Sequence, residues 1–304
     1  MLKNKFWFRF FNKTKYREIK NQENILKSAN NFKKNYKIKI EEIQKKIYKK
    51  EKLNFLHSGH AADIINVLPV IKELSKKHLC NLYINIKKPI KYYHKHPAGK
   101  YYLDNRIYGL IEPLLKKQLY INKIKIFENE EIDINFDLIR ELPINLTFDN
   151  ARYASILTGI YPDLSLNFLE CDQHKKYKDH VAIQRTFRYR NQFIDYSFLK
   201  NYEKLLFIGI RSEYEDLKKI VSNLEFYDCK NFLEMAEIIK SSKLTLGNSS
   251  LAFPIAEGLN VPRLLESCPY FPAAQPHGKK AFNFYFQHEF EKYFKYLYNL
   301  DKKY

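Results

Sequence analysis

Three clusters of residues in this chain are of types that can do chemistry. The first is Leu53-Asn54-Phe55-Leu56-His57-Ser58-Gly59-His60-Ala61-Ala62-Asp63. A short apolar run gives way to small and polar residues, and then to apolar positions spaced by 3 and 4 as far as Leu74. That pattern predicts a strand, a turn and a helix. Asp63 falls at the mouth of this unit, where a carboxylate can serve as a general base. A helix cap uses an acid at the same place for its electrostatics alone. His57 and His60 stand beside it and could touch an acceptor group or a phosphate. Two histidines invite a metal, but no further ligands follow at fitting spacing, and no metal is expected.

The second cluster is Gly247-Asn248-Ser249-Ser250, between the apolar run Leu244–Leu246 and the helical pattern that starts at Leu251. Backbone N–H groups left unpaired at a helix start, with the positive end of its dipole, make such a turn an anion site suited to a diphosphate. N-capping by Asn248 or Ser249 uses the same residues. The third cluster, Arg185, Arg188 and Arg190, follows the strand-like Val181–Gln184. Guanidinium forks match phosphate oxygens, and alternation in an extended segment would put Arg188 and Arg190 on one face. The alternative is a solvated basic loop. Asn191 adds a hydrogen-bonding group. Gly209 and Glu213, at the end of the buried run Leu205–Gly209, could line a nucleoside pocket, although Glu213 also suits a helix start.

These clusters need scaffolding, and the chain has room for it. With 304 residues and 45% hydrophobic residues, two ordinary domains are expected. Strand, helix, strand over residues 53–86 reads as one right-handed parallel unit, in which Pro69 is a point for a kink. A helix over 109–115 and strands over 121–127, 136–139 and 145–148 follow, with loops around 87–105 and 160–178. A second set begins at Val181. The expected division is a basic helical extension (1–52), an N-terminal Rossmann-like domain (53–178), a C-terminal Rossmann-like domain (179–281) and a helical tail (282–304), the two domains facing a cleft.

Charge is concentrated at one end. Residues 1–52 hold 17 Lys and Arg against 5 Asp and Glu, a net +12 of the chain's +19. A basic helix with an aromatic end suits an anionic membrane surface. A solvated helix packed on the body is the plain alternative. Nucleic acid is the weakest of the three, since no RNA or DNA module accompanies the charge. Cys80, Cys171, Cys229 and Cys268 are scattered, without the spacing of a zinc ribbon or a disulfide framework. No apolar run reaches the roughly 18 residues of a membrane span. The expected location is cytoplasmic, peripheral on the inner membrane if the extension binds lipid.

The order of these segments resembles the GT-B glycosyltransferases, nearest to the ADP-heptose:lipopolysaccharide heptosyltransferases. Ala62-Asp63-Ile64-Ile65-Asn66-Val67-Leu68-Pro69-Val70-Ile71 is similar to that family's Gly-Asp-apolar-apolar-x-x-x-Pro helix, and Gly247–Glu266 to its donor-side strand, turn and helix. Ala62 replaces the usual glycine, and Asn248-Ser249-Ser250 stands where Asp-Thr-Gly is usual. These departures weigh on heptose as the sugar. The resemblance covers residues 53 to about 270 and implies an inverting transfer from a nucleotide-sugar donor to a hydroxyl of a bacterial surface glycan or its lipid-linked precursor. It implies Asp63 as base, the arginines and the Gly247–Ser250 turn on the diphosphate, Glu257 on a ribose hydroxyl, His57 and His60 on the acceptor side, and no cofactor. A sugar-nucleotide epimerase of the same shape and a non-catalytic basic nucleic-acid-binding protein are the competing readings.

Overall fold

The computed structural model describes residues 5–90 and 99–300, the side chains of residues 5 and 6 excepted. Three helices open the chain: α1 (Lys5–Phe11), α2 (Lys13–Asn35) and α3 (Lys37–Lys49). Among their described side chains only Ile43 and Ile47 of α3, one turn apart, are buried in the core, and Phe32 of α2 packs against it.

The first sheet follows. Its elements are β1 (Lys52–His57), α4 (Ala61–Ser75), β2 (Leu79–Ile84), α5 (Asn105–Lys116), β3 (Lys123–Ile126), β4 (Ile134–Asn135) and α6 (Tyr153–Thr158). The four strands are parallel in the order β3-β2-β1-β4. Leu53, Phe55 and Leu56 are buried, as both faces of β1 are covered, which is why a continuous apolar run serves as a central parallel strand. Helix α4 runs through Pro69 and buries nine of its residues. It is sandwiched between its own sheet and the second half of the molecule.

The second half contains β5 (Val181–Gln184), β6 (Leu205–Phe207), α7 (Arg211–Lys218), β7 (Glu225–Phe226), α8 (Phe232–Ser241), β8 (Leu244–Gly247), α9 (Ala252–Gly258), β9 (Arg263–Glu266), β10 (Ala281–Phe284) and α10 (Gln287–Tyr298). Its six strands are parallel in the order β10-β9-β8-β5-β6-β7. The largest apolar cluster is continuous across both sheets, from Leu53 and Ile64 to Met235 and Ile255. Contacts between α4 and α9, and between α5 and α8, join the halves.

Three local expectations change. Residues 136–139 are a 3₁₀ turn (Phe136–Glu141), not a strand, because Asn135 caps it by accepting from the Asp137 N–H. Residues 145–148 form no strand. The tail after 281 is not helical throughout: Ala281–Phe284 pairs with β9 and extends the second sheet before α10 begins. The expected 87–105 loop falls partly on 91–98, outside the described residues.

Both sheets reverse direction at one point. In the first, the chain moves from β1 out to β3, then returns to place β4 on the other side of β1. In the second it moves from β5 out to β7, then returns to place β8 on the other side of β5. At each reversal the loops leaving adjacent strand ends diverge and leave a crevice, the usual ligand position of open parallel sheets.

Candidate active site

The loops at these two crevices wall a single cavity of about 630 Å³. From the first sheet come the β1–α4 turn, with His57, His60 and Asp63, and the 3₁₀ turn after β4, with Arg140. From the second come Gln184, Thr186, Arg188 and Tyr189 after β5, Gly209 after β6, and Ser249 and Ser250 after β8.

Asp63 occupies the third position of α4, and its Oδ2 accepts from the His60 N–H at 3.0 Å, so the capping reading is realised. The same oxygen accepts from Arg140 Nη2 at 2.7 Å. Arg140 reaches back through Nη1 to Asp137 at 2.9 Å, and its guanidinium lies over the Tyr102 ring. Asp137 in turn accepts from the Ser58 N–H and hydroxyl and from Lys88. Two carboxylates and two cations therefore alternate at the crevice. Burial pulls the Asp63 carboxyl up, but the charge on Arg140, with the neighbouring His60 and His57, outweighs it and holds the group below the ordinary carboxylate value. Asp63 is thus ionised and able to accept a proton.

His57 is buried, and its Nδ1 accepts from the Gly59 N–H at 2.9 Å, a bond that needs the neutral ring. Burial, seconded by Arg140, lowers its pKa to about 4. The unfolded chain, with a pKa near 6.5, takes up this proton first as the solution is acidified. Stability is full above that value and falls by about 3 kcal/mol as pH drops toward 4. Denaturant midpoints from pH 7 to pH 4.5 should show this limb in the wild type and a flatter one in His57→Asn. His60 is likewise held low by burial; Asp63 and the Tyr102 carbonyl, which lies 2.9 Å from its Nδ1, oppose the shift, whereas Arg188 and Arg140 add to it.

Gly59 is required by this packing. A Cβ there would run into the Arg140 guanidinium, the His57 ring and Asp63 Oδ2. Gly59→Ala should cost about 1–3 kcal/mol as overpacking and separate Arg140 from Asp63. Urea unfolding measures the first effect, and an upward move of the acid limb of the activity profile measures the second.

On the opposite wall, Arg188 is half-buried in the cavity lining. No carboxylate of the described residues forms an ion pair with it, and its Nε is buried without a hydrogen-bond partner. Its aromatic neighbour is Tyr189, whose ring centroid is 5.0 Å away. Ser249 and Ser250 complete this side. The first α9 amide, Ala252 N–H, is already taken by Gln184 Oε1 at 2.7 Å. Glu213 also lines the cavity, is buried, and accepts from the Phe187 N–H at 3.3 Å; burial raises its carboxyl, against the pull of these hydrogen bonds and of Arg190 and Arg188. Gly209 lines the cavity where a Cβ would meet the Phe207 ring at 2.7 Å.

Other expected site residues stand elsewhere. Arg185 is turned into the protein, held by Glu266 through Nε at 2.7 Å and Nη2 at 2.9 Å. Arg190 is engaged by Asp216 at 2.5 Å and stacked on Phe187. The segment is not extended: Phe187–Tyr189 is a 3₁₀ turn, so alternation does not put Arg188 and Arg190 on one face. Asn191 is buried, donating to the Tyr285 carbonyl. Asn248 clasps the backbone N–H and carbonyl of Thr186, joining the two loops rather than facing the cavity. Gly247 lies within β8, where a Cβ would meet the Gln184 carbonyl at 2.5 Å. Glu257 is paired with the buried Arg263 and accepts from the His277 N–H. It borders a separate, much smaller cavity of about 40 Å³.

Arg140, Asp137, Lys88 and Tyr102 are the residues that sequence reasoning missed. The one usable signal was Asn135-x-Asp137-x-x-Arg140, whose capping side chain and i,i+3 charge pair suit a tight turn better than a strand. Among the described residues no three His, Cys, Asp or Glu side chains gather where they could hold a metal ion.

In sequence the chain matches no known family profile and no curated protein. In structure it is similar to a family 9 glycosyl transferase from Veillonella parvula, with a TM-score of 0.51, 12% identity, and coverage of 83% of this chain and 90% of that one. It is also similar to the E. coli heptosyltransferase WaaC solved with ADP, with a TM-score of 0.51, 7% identity, and coverage of 81% of this chain and 99% of that one. The chain therefore shares the fold of these glycosyltransferases, two parallel-sheet domains with flanking helices.

Proposed function

We propose that the protein is an inverting glycosyltransferase that moves a sugar from a nucleotide-sugar donor to a hydroxyl of a bacterial surface glycan or its lipid-linked precursor. The observation that carries this reading is the cavity between the two crevices, with an ionised Asp63 on one wall and, on the other, an Arg188 that forms no ion pair with a carboxylate of the described residues. In this reading the donor diphosphate lies against Arg188, Ser249 and Ser250, and the nucleoside against Gly209 and Glu213. Asp63 takes the proton from the acceptor hydroxyl. The acceptor oxygen bonds to the anomeric carbon as the bond from that carbon to the diphosphate breaks. Negative charge grows on the departing oxygen, where a fixed guanidinium in a water-poor site stabilises it most. His60, at the same wall as Asp63, is suited to an acceptor hydroxyl; His57 acts behind it by fixing the turn.

A thermal-shift panel of ADP, GDP, UDP, CMP and dTDP sugars tests the reading, since a ligand that binds only the folded state stabilises it by mass action. One responsive nucleotide is expected, followed by release of its nucleoside diphosphate (or monophosphate, for CMP) when acceptor extract is added. A flat response to the whole panel would count against the proposal.

A further inference from the structure

The N-terminal extension is built unlike the rest of the molecule. Asn12 alone separates α1 from α2 and breaks the helix there: its φ and ψ are −147° and 85°, and its side chain caps α2 by accepting from the Lys15 N–H at 2.9 Å. At about 1.5 Å per residue, the 23 residues of α2 span roughly 35 Å, with α1 joined to their start. Helix α2 buries none of its residues, and Phe32, near its end, is the first of the described side chains that packs against the core. The described side chains from residue 7 to 31 therefore add nothing to the core, yet they are not uniformly polar. Trp7, Phe10 and Phe11 are exposed at its tip, Trp7 by 63%. The rings of Trp7 and Phe11 pack on each other with centroids 4.4 Å apart, forming one apolar wedge. Seven of the residues from 5 to 31 are Lys or Arg and two are Glu.

Each feature narrows the occupant. An exposed aromatic wedge needs an apolar partner. A run of cations along the adjoining helix repels a second copy of itself and attracts phosphate. Ring faces spent on each other are poorly placed to stack on bases, which is how single strands are usually held. Aromatic side chains at headgroup depth beside lysines that meet lipid phosphates are the combination found at bilayer interfaces. No helix of the described residues is long and apolar enough to cross a membrane, so the contact is with the surface.

We propose that residues 5–31 dock the protein on an anionic lipid bilayer, with Trp7, Phe10 and Phe11 seated among the headgroups and Lys13, Lys15, Arg17 and Lys20 against their phosphates. The proposal does not depend on which reaction the cavity carries out.

Trp7 is the only tryptophan in the chain, so the full-length protein reports on its own wedge. Titration with vesicles of phosphatidylcholine containing about a third phosphatidylglycerol should shift Trp7 emission to the blue and pellet the protein with the vesicles. Phosphatidylcholine alone should bind at least tenfold more weakly. Salt near 1 M, where the Debye length is about 3 Å, should reverse most of the binding. Phe10→Ser with Phe11→Ser, and separately Lys13→Glu with Lys15→Glu and Arg17→Glu, should each weaken it at least tenfold. Both variants should keep the wild-type melting temperature, because the substituted side chains lie outside the core. Trp7 emission indifferent to anionic vesicles overturns the proposal. So does emission that shifts with protein concentration alone, which would mean that a second copy covers the wedge, or with RNA in place of vesicles.

Discussion

Asp63→Asn should lower kcat by about 10²–10⁴-fold, the usual worth of a positioned general base, with little change in donor affinity or unfolding midpoint. The amide keeps an oxygen for the His60 N–H, so the cap at the start of α4 survives. Arg140 keeps its second carboxylate, Asp137. What the substitution removes is a group able to take a proton. The structure supplies a further signature. Arg140 holds Asp63 below the ordinary carboxylate value, so the acid limb of wild-type activity should lie below that of an unperturbed aspartate. Steady-state kinetics with an identified donor, beside a urea titration of the same variant, separates loss of the base from loss of the fold. Turnover retained within a few-fold would leave Asp63 with capping alone.

Arg185→Ala should act on stability rather than on substrate. Glu266 is fully buried and accepts from both Nε and Nη2 of Arg185, from the Tyr196 hydroxyl at 2.7 Å and from the Asn191 N–H at 2.5 Å. The Arg185 guanidinium also covers the Tyr196 ring, 4.2 Å from its centroid. Without the arginine a buried carboxylate is left with neutral donors only. Breaking one side of such a pair costs about 3–5 kcal/mol, a large part of the roughly 5–15 kcal/mol that holds a typical domain together. Adding Glu266→Gln to Arg185→Ala should recover a substantial share, because the stranded charge goes with it. A phosphate ligand would behave differently: the variant would fold normally and lose donor affinity. Chemical denaturation of the single and double variants distinguishes the two outcomes.

These substitutions mark what the sequence could and could not reveal. The β1–α4 unit was legible because strand, turn and helix are adjacent, and apolar periodicity locates Asp63 within a turn of its true position. The β8–α9 unit was legible for the same reason. Arg140 was not, since its partner Asp63 lies 77 residues away and only the reversal of strand order beside β1 brings them together. Arg185 misled because a guanidinium after a buried strand looks alike whether its carboxylate is a distant Glu266 or a ligand's phosphate is its target. Glu257 misled in the same way, its partner Arg263 reaching back from the start of the next strand. Residues 281–284 read as the opening of an aromatic helix because Phe282 and Phe284 continue the apolar composition of α10; edge pairing with β9 decides them as a strand.

The account rests on Arg188 facing the cavity as a cation that forms no ion pair with a carboxylate of the described residues. Calorimetric titration of the wild type and of Arg188→Ala with matched nucleosides and nucleoside diphosphates tests this most directly. The expected result is that one nucleoside diphosphate binds the wild type at least tenfold more tightly than its nucleoside, and that Arg188→Ala removes most of that difference without lowering the melting temperature. Diphosphate binding that is absent, or unchanged in Arg188→Ala, would contradict it.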